Sequence, residues 1–168
     1  MNIKTINIGN PEKALEDLAE IKNKNYGNVD IKIENLHLKR INVLIRKNVF
    51  KKNDAYISAE TLWEVMKEQG EEGKHHFHGL NEGDVVNGLS SISNPLYVIK
   101  TDLNRYSLIS SFISSFGYPL IIVIELNAGL VNDQKAFVNK IVTIYPKDEI
   151  DKYVLKLPKE NVLYKNKV

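Results

Sequence analysis

Tyr118-Pro119-Leu120-Ile121-Ile122-Val123-Ile124-Glu125-Leu126, followed after a short polar break by Val138-Asn139-Lys140-Ile141-Val142-Thr143-Ile144-Tyr145, is the stretch on which the fold turns. Its first half is a solid apolar run and reads as a central strand. In the second half, apolar Val138, Ile141 and Ile144 interleave with Asn139, Thr143 and Tyr145. A strand of that kind presents hydroxyls and an amide to a cleft.

Working outward, strands are predicted near Leu96 to Lys100 and Ser107 to Ser114, so that with Leu120 to Leu126 and Phe137 to Tyr145 there are four in succession. Turn-rich Asp102-Leu103-Asn104, Phe116-Gly117-Tyr118 and Asn127-Ala128-Gly129 separate them. The upstream half reads as helical. Asn10-Pro11 offers a cap and a proline suited to the first helical position, and Ala14, Leu15, Leu18, Ala19 and Ile21 follow at helical spacing. Ser58 caps a second helix carrying Leu62, Val65 and Met66, and a third over Glu82 to Ile92 ends before Asn94-Pro95. Asp30 to Phe50 fits neither period cleanly. Helices first, then strands joined by short connections, predict an α+β fold with an antiparallel sheet.

The chain has 168 residues, 43% hydrophobic and 26% charged, which suits one domain with a sizeable core. Its formal net charge is only +2, but the basic residues are unevenly placed. Lys39, Arg40, Arg46, Lys47, Lys51 and Lys52 fall in 35–53 without an acid, and Lys152, Lys156, Lys159, Lys165 and Lys167 face Glu160 alone. Two such segments brought together make an anion-binding face, and kept apart they are a solvated lysine surface. The absence of cysteine excludes disulfides and thiolate zinc or redox chemistry. The apolar runs fall short of the roughly 18 residues that span a bilayer, and no signal pattern opens the chain, so the sequence reads as cytoplasmic and without a membrane partner.

Three of the four histidines sit in Lys74-His75-His76-Phe77-His78. Such a cluster supplies a general acid or base near neutral pH, or forms a polar loop after the Ser58 helix. It has no acid or cysteine to complete a metal site, so no metal and no cofactor is expected. Neither a phosphate loop of the Walker type nor a nucleophile elbow is present.

From about Asp54 onward, these pieces together resemble the phage MuF carboxy-terminal toxin domain, a member of the barnase, EndoU, colicin and RelE-like nuclease fold. The residues that carry the likeness are Tyr56-Ile57-Ser58 before a helix, a histidine after it, Asn94-Pro95 before a strand and Gly117-Tyr118-Pro119-Leu120-Ile121-Ile122-Val123. The Val138 to Tyr145 strand running on into Pro146-Lys147-Asp148, and the terminal Leu163-Tyr164-Lys165-Asn166-Lys167, complete it. The resemblance implies amino-terminal helices packed on a four-stranded antiparallel sheet, with the catalytic cleft on the exposed sheet face. Residues 1–53 would be a helical, basic extension and residues 54–168 the nuclease-fold domain.

The resemblance also implies an RNA-cleaving toxin of phage or mobile-element origin, acting in its own cytoplasm or in that of a target cell. Its helix-end histidine corresponds to His75 or His76, and its polar strand positions to Asn139, Thr143 and Tyr145. Tyr164 and Lys167 match the terminal signature. The expected reaction is metal-independent: a histidine takes the ribose 2′-hydroxyl proton and the oxygen attacks phosphorus to leave a 2′,3′-cyclic phosphate. Thr143 and Tyr145 join the histidines as catalytic residues, with Lys74, Asn139, Tyr164 and Lys167 holding RNA. An acidic immunity protein would be the natural protein partner. The alternative is a mobile-element component that binds nucleic acid or protein through its basic face without cutting. The alternation of Thr and Tyr also has an ordinary explanation, since both favour half-buried strand positions.

Overall fold

Leu120, Ile121, Ile122 and Ile124 are all fully buried, because the strand that carries them lies inside a sheet covered on both faces. A computed structural model describes residues 3–67 and 78–166. Its strands are β1 (Thr5–Asn7), β2 (Asp30–Glu34), β3 (Ala55–Ser58), β4 (Tyr97–Asp102), β5 (Arg105–Ile113), β6 (Pro119–Leu130), β7 (Asp133–Pro146) and β8 (Val162–Lys165). The helices are α1 (Pro11–Asn23), α2 (Lys39–Ile45), α3 (Ala59–Met66), α4 (Glu82–Ser91) and α5 (Ile150–Leu155). Among the described residues no helix is long and apolar enough to cross a membrane.

The four expected strands are β4 to β7, and they pair antiparallel in sequence order. The sheet does not stop there, which corrects the expectation of a four-stranded antiparallel sheet under amino-terminal helices. Among the described residues it has eight strands in the order β1-β2-β3-β7-β6-β5-β4-β8, with β1 parallel to β2 and β3 parallel to β7. The physical reason is length. A three-residue strand such as Thr5–Asn7 shows one buried side chain, Ile6, and no period can be read from one position. β2 is buried only at Ile31 and Ile33, and the loops after it blur that alternation.

Side-chain alternation divides the core in two. Ile6, Ile31, Ile33, Ala55, Ile57, Leu108, Leu120, Ile122, Ile124, Ile141 and Ile144 share one cluster with residues of α1, α2, α3 and α4. On the opposite face Tyr97, Ile99, Ile109 and Ile121 are covered by Ile150 and Val154 of α5. The caps behave as the sequence predicts. The Asn10 amide oxygen accepts from Lys13 N at 3.5 Å, and Ser58 Oγ accepts from Thr61 N at 3.0 Å. In α4 the Asn81 amide oxygen accepts from Asp84 N at 2.7 Å, and Asp84 accepts in return from Asn81 N. Asp84 further accepts from Ser115 N and Oγ, tying α4 to the β5–β6 turn. At the face of α4 a Cβ on Gly88 would stand 2.6 Å from Leu120 Cδ1, so glycine sets how closely the helix approaches β6.

Candidate functional site

β3 meets β7 at the pair Tyr56–Lys140 and then gives way to α3 through the Ser58 cap. The carboxy-terminal part of β7 therefore borders a helix where its earlier part borders a strand. In that part the register slips. Val123 faces Thr143 and Ile124 faces Ile141, so Val142 is an extra residue opposite none. A bulge of this kind turns two successive side chains to one side. Ile141 and Ile144 remain in the main core, and Val142, Thr143 and Tyr145 line a cleft of about 500 Å³.

The other wall is Thr61, Glu64 and Val65, a helical i, i+3, i+4 set on α3, together with His78. His78 is placed by the chain's return along the end of α3. His78 N donates to Glu64 O at 3.4 Å, Gly79 N to Lys67 O at 2.6 Å and Leu80 N to Val65 O at 2.9 Å. Carbonyls that a helix end leaves without intrahelical donors thus fix the segment that carries the imidazole. Its ring centroid lies 5.8 Å from that of Tyr145, tilted by 34°. Burial, and secondarily Tyr153, push the Tyr145 hydroxyl above the ordinary phenol range. At neutral pH that group keeps its proton and serves as a donor.

Of the residues singled out in the sequence, Thr143 and Tyr145 share this cleft. His75, His76, Lys74 and Lys167 lie outside the described residues, and His78, the described residue of the cluster, lines the cleft. Asn139 is buried on the core side of β7, its Nδ2 donating to Lys52 O and Asp54 O, both at 3.0 Å. It fastens the loop before β3 to β7. Tyr164 pairs with Val98 on β8 and packs on the main core, four strands from β7 and so roughly 19 Å away.

The two basic segments meet in part, with Arg46 and Lys165 lining one cleft at the α2–β8 contact. Thr61, Glu64 and Val142 were not legible as site residues. Thr61 and Glu64 fall outside the apolar positions that mark their helix, and a bulge leaves no mark on a run of Ile, Val and Thr. Among the described residues no group of three or more His, Asp or Glu is placed to hold a metal ion.

No curated protein and no solved structure matches the chain. One family does. Its match takes in His78, α4, the antiparallel β4 to β7, α5 and β8, and leaves the α3 wall of the cleft outside. With residues 69–168 matched by the model of the phage MuF-C-terminal domain, the chain belongs to that family.

Proposed function

We propose that this chain is a metal-independent endoribonuclease, a toxin domain of phage origin. The observation that carries the reading is the meeting of His78, Thr143 and Tyr145 in one cleft, from positions far apart in sequence. His78 takes the ribose 2′-hydroxyl proton. The freed oxygen attacks the adjacent phosphorus, the bond from phosphorus to O5′ breaks, and the Tyr145 hydroxyl gives its proton to O5′. The products are a 2′,3′-cyclic phosphate and a 5′-hydroxyl, and solvent returns the proton balance between imidazole and phenol. Thr61 and Thr143 offer hydroxyl donors to the phosphate oxygens as charge develops on them. The Glu64 carboxylate, in the same cleft, favours the imidazolium formed in the first step.

The test is RNA incubated with the purified chain in excess EDTA, with fragment ends read chemically. Native protein should leave cyclic phosphate ends. His78→Ala should lower the cleavage rate about 10²–10⁴-fold, the usual worth of a positioned base. Tyr145→Phe, which keeps the ring packing, should lower it less. Changing His75 and His76 together to Ala reports whether those neighbours share the role. RNA that is bound but left intact by the native chain would favour a non-catalytic nucleic-acid-binding component instead.

A further inference from the structure

The lining of the cleft holds one carboxylate, Glu64, and no lysine or arginine among the described residues. Affinity for a polyanion is dominated by cations set against phosphates, so a site that turns over RNA needs that charge nearby. It lies further back along β7. Lys32, Lys39, Lys51 and Lys52 converge with Asp54 on a hollow of about 420 Å³, giving four ammonium groups against one carboxylate.

Three elements build the hollow. Lys32 and Tyr56 are cross-strand neighbours on β2 and β3, and Tyr56 pairs in turn with Lys140 of β7. Their side chains stand on the face opposite buried Ile31, Ile33 and Ile57. Lys51 and Lys52 come from the loop that Asn139 fastens to β7, and Lys39 opens α2, its N–H donating to Asn53 Oδ1 at 3.0 Å. Two of the four cations are already engaged: Lys32 Nζ lies 3.7 Å from Asp54 Oδ2, and Lys52 Nζ donates to Phe137 O at 3.2 Å. Lys39 and Lys51 are exposed, and among the described residues neither has an ion-pair partner. Four like charges held within one hollow repel each other, and an anion bound between them relieves that repulsion.

We infer that this lysine hollow is a second phosphate subsite, which holds the RNA backbone a few nucleotides from the bond broken in the His78 cleft. The inference rests on the ribonuclease reading for its polymer and stands on its own residues for its charge. Both sites draw on β7, the hollow through Val138 and the cleft through Val142, Thr143 and Tyr145. The five steps along the strand from Val138 to Thr143 span roughly 17 Å, a distance that a single strand bridges with a few nucleotides.

The experiment titrates the His78→Ala chain, which cannot consume its ligand, with a dinucleotide and with a single-stranded RNA of about ten nucleotides over a range of salt. The longer RNA should bind tighter. Lys39→Ala with Lys51→Ala on the same background should weaken it about tenfold near 0.1 M salt. The slope of log K against log salt should become shallower by about 1.4, the value for two phosphates of a single strand. Unchanged affinity and slope in that variant would overturn the subsite, as would polyglutamate held at these lysines with RNA unable to displace it. Failure of the ribonuclease reading shows separately, as intact RNA with the native chain, and leaves the titration interpretable. Both lysines are exposed, and an unchanged melting temperature confirms that the variant is folded.

Discussion

Tyr97 Oη donates to Asp151 Oδ1 at 2.5 Å, joining β4 to α5. Burial first, then the hydrogen bond and charge of Asp151, push the Tyr97 phenol up to about 12. In an unfolded chain the same group titrates near 10. Because the folded state favours the protonated phenol, its contribution to stability is complete below about pH 10 and is lost as pH rises through about 12. Alkaline titration followed by phenolate absorbance should therefore show Tyr97 titrating late, near pH 12. Asp151→Asn should bring that tyrosine's titration earlier, because the carboxylate's charge is gone. The same scale explains why Asn139 misleads a reader of sequence. An amide on a polar-looking strand suggests a ligand contact, yet Asn139 is buried and its two donated bonds go to the Lys52 and Asp54 carbonyls, which give the buried amide its partners.

At the scale of elements, the extra residue at Val142 bends β7 at the point where Thr143 and Tyr145 enter the cleft, and so sets their position against α3. Deleting Val142 would restore an uninterrupted ladder while keeping Ile141 and Ile144 on the core side. The protein should still fold, with a melting temperature changed by a few degrees, since about 1 kcal/mol moves a domain of this size by roughly 2–4 °C. For the ribonuclease proposed above, cleavage should fall about 10²-fold, the scale of a misplacement near 1 Å. Rates and melting curves measured on one preparation check both halves. The strands β4 to β7 and the helices α1, α3 and α4 were legible because each is long enough to display a period or a cap. β1, β2, β8 and α5 were not, since strands of three to five residues and a six-residue helix are fixed by what they pack on. Half of the site was legible for the same reason. Thr143 and Tyr145 interrupt a long apolar strand visibly, whereas Thr61 and Glu64 sit on the polar side of a helix whose buried positions account for its pattern.

At the scale of the whole molecule, two kinds of connection hold the sheet together. From β4 to β7 every neighbour in space is a neighbour in sequence, so each pairing closes a short loop. The seam between β3 and β7 joins Tyr56 to Lys140 and closes a loop of half the chain, at a larger entropic cost. Contacts of that range form late. Pulsed hydrogen exchange during refolding should find amides of β5 and β6 protected before those of β3, and simultaneous protection would contradict this order. The His78 cleft straddles that seam, with α3 on one bank and β7 on the other. The two banks of the cleft thus exist apart in the unfolded chain, and whatever the cleft does can begin only when that last long-range pairing is complete.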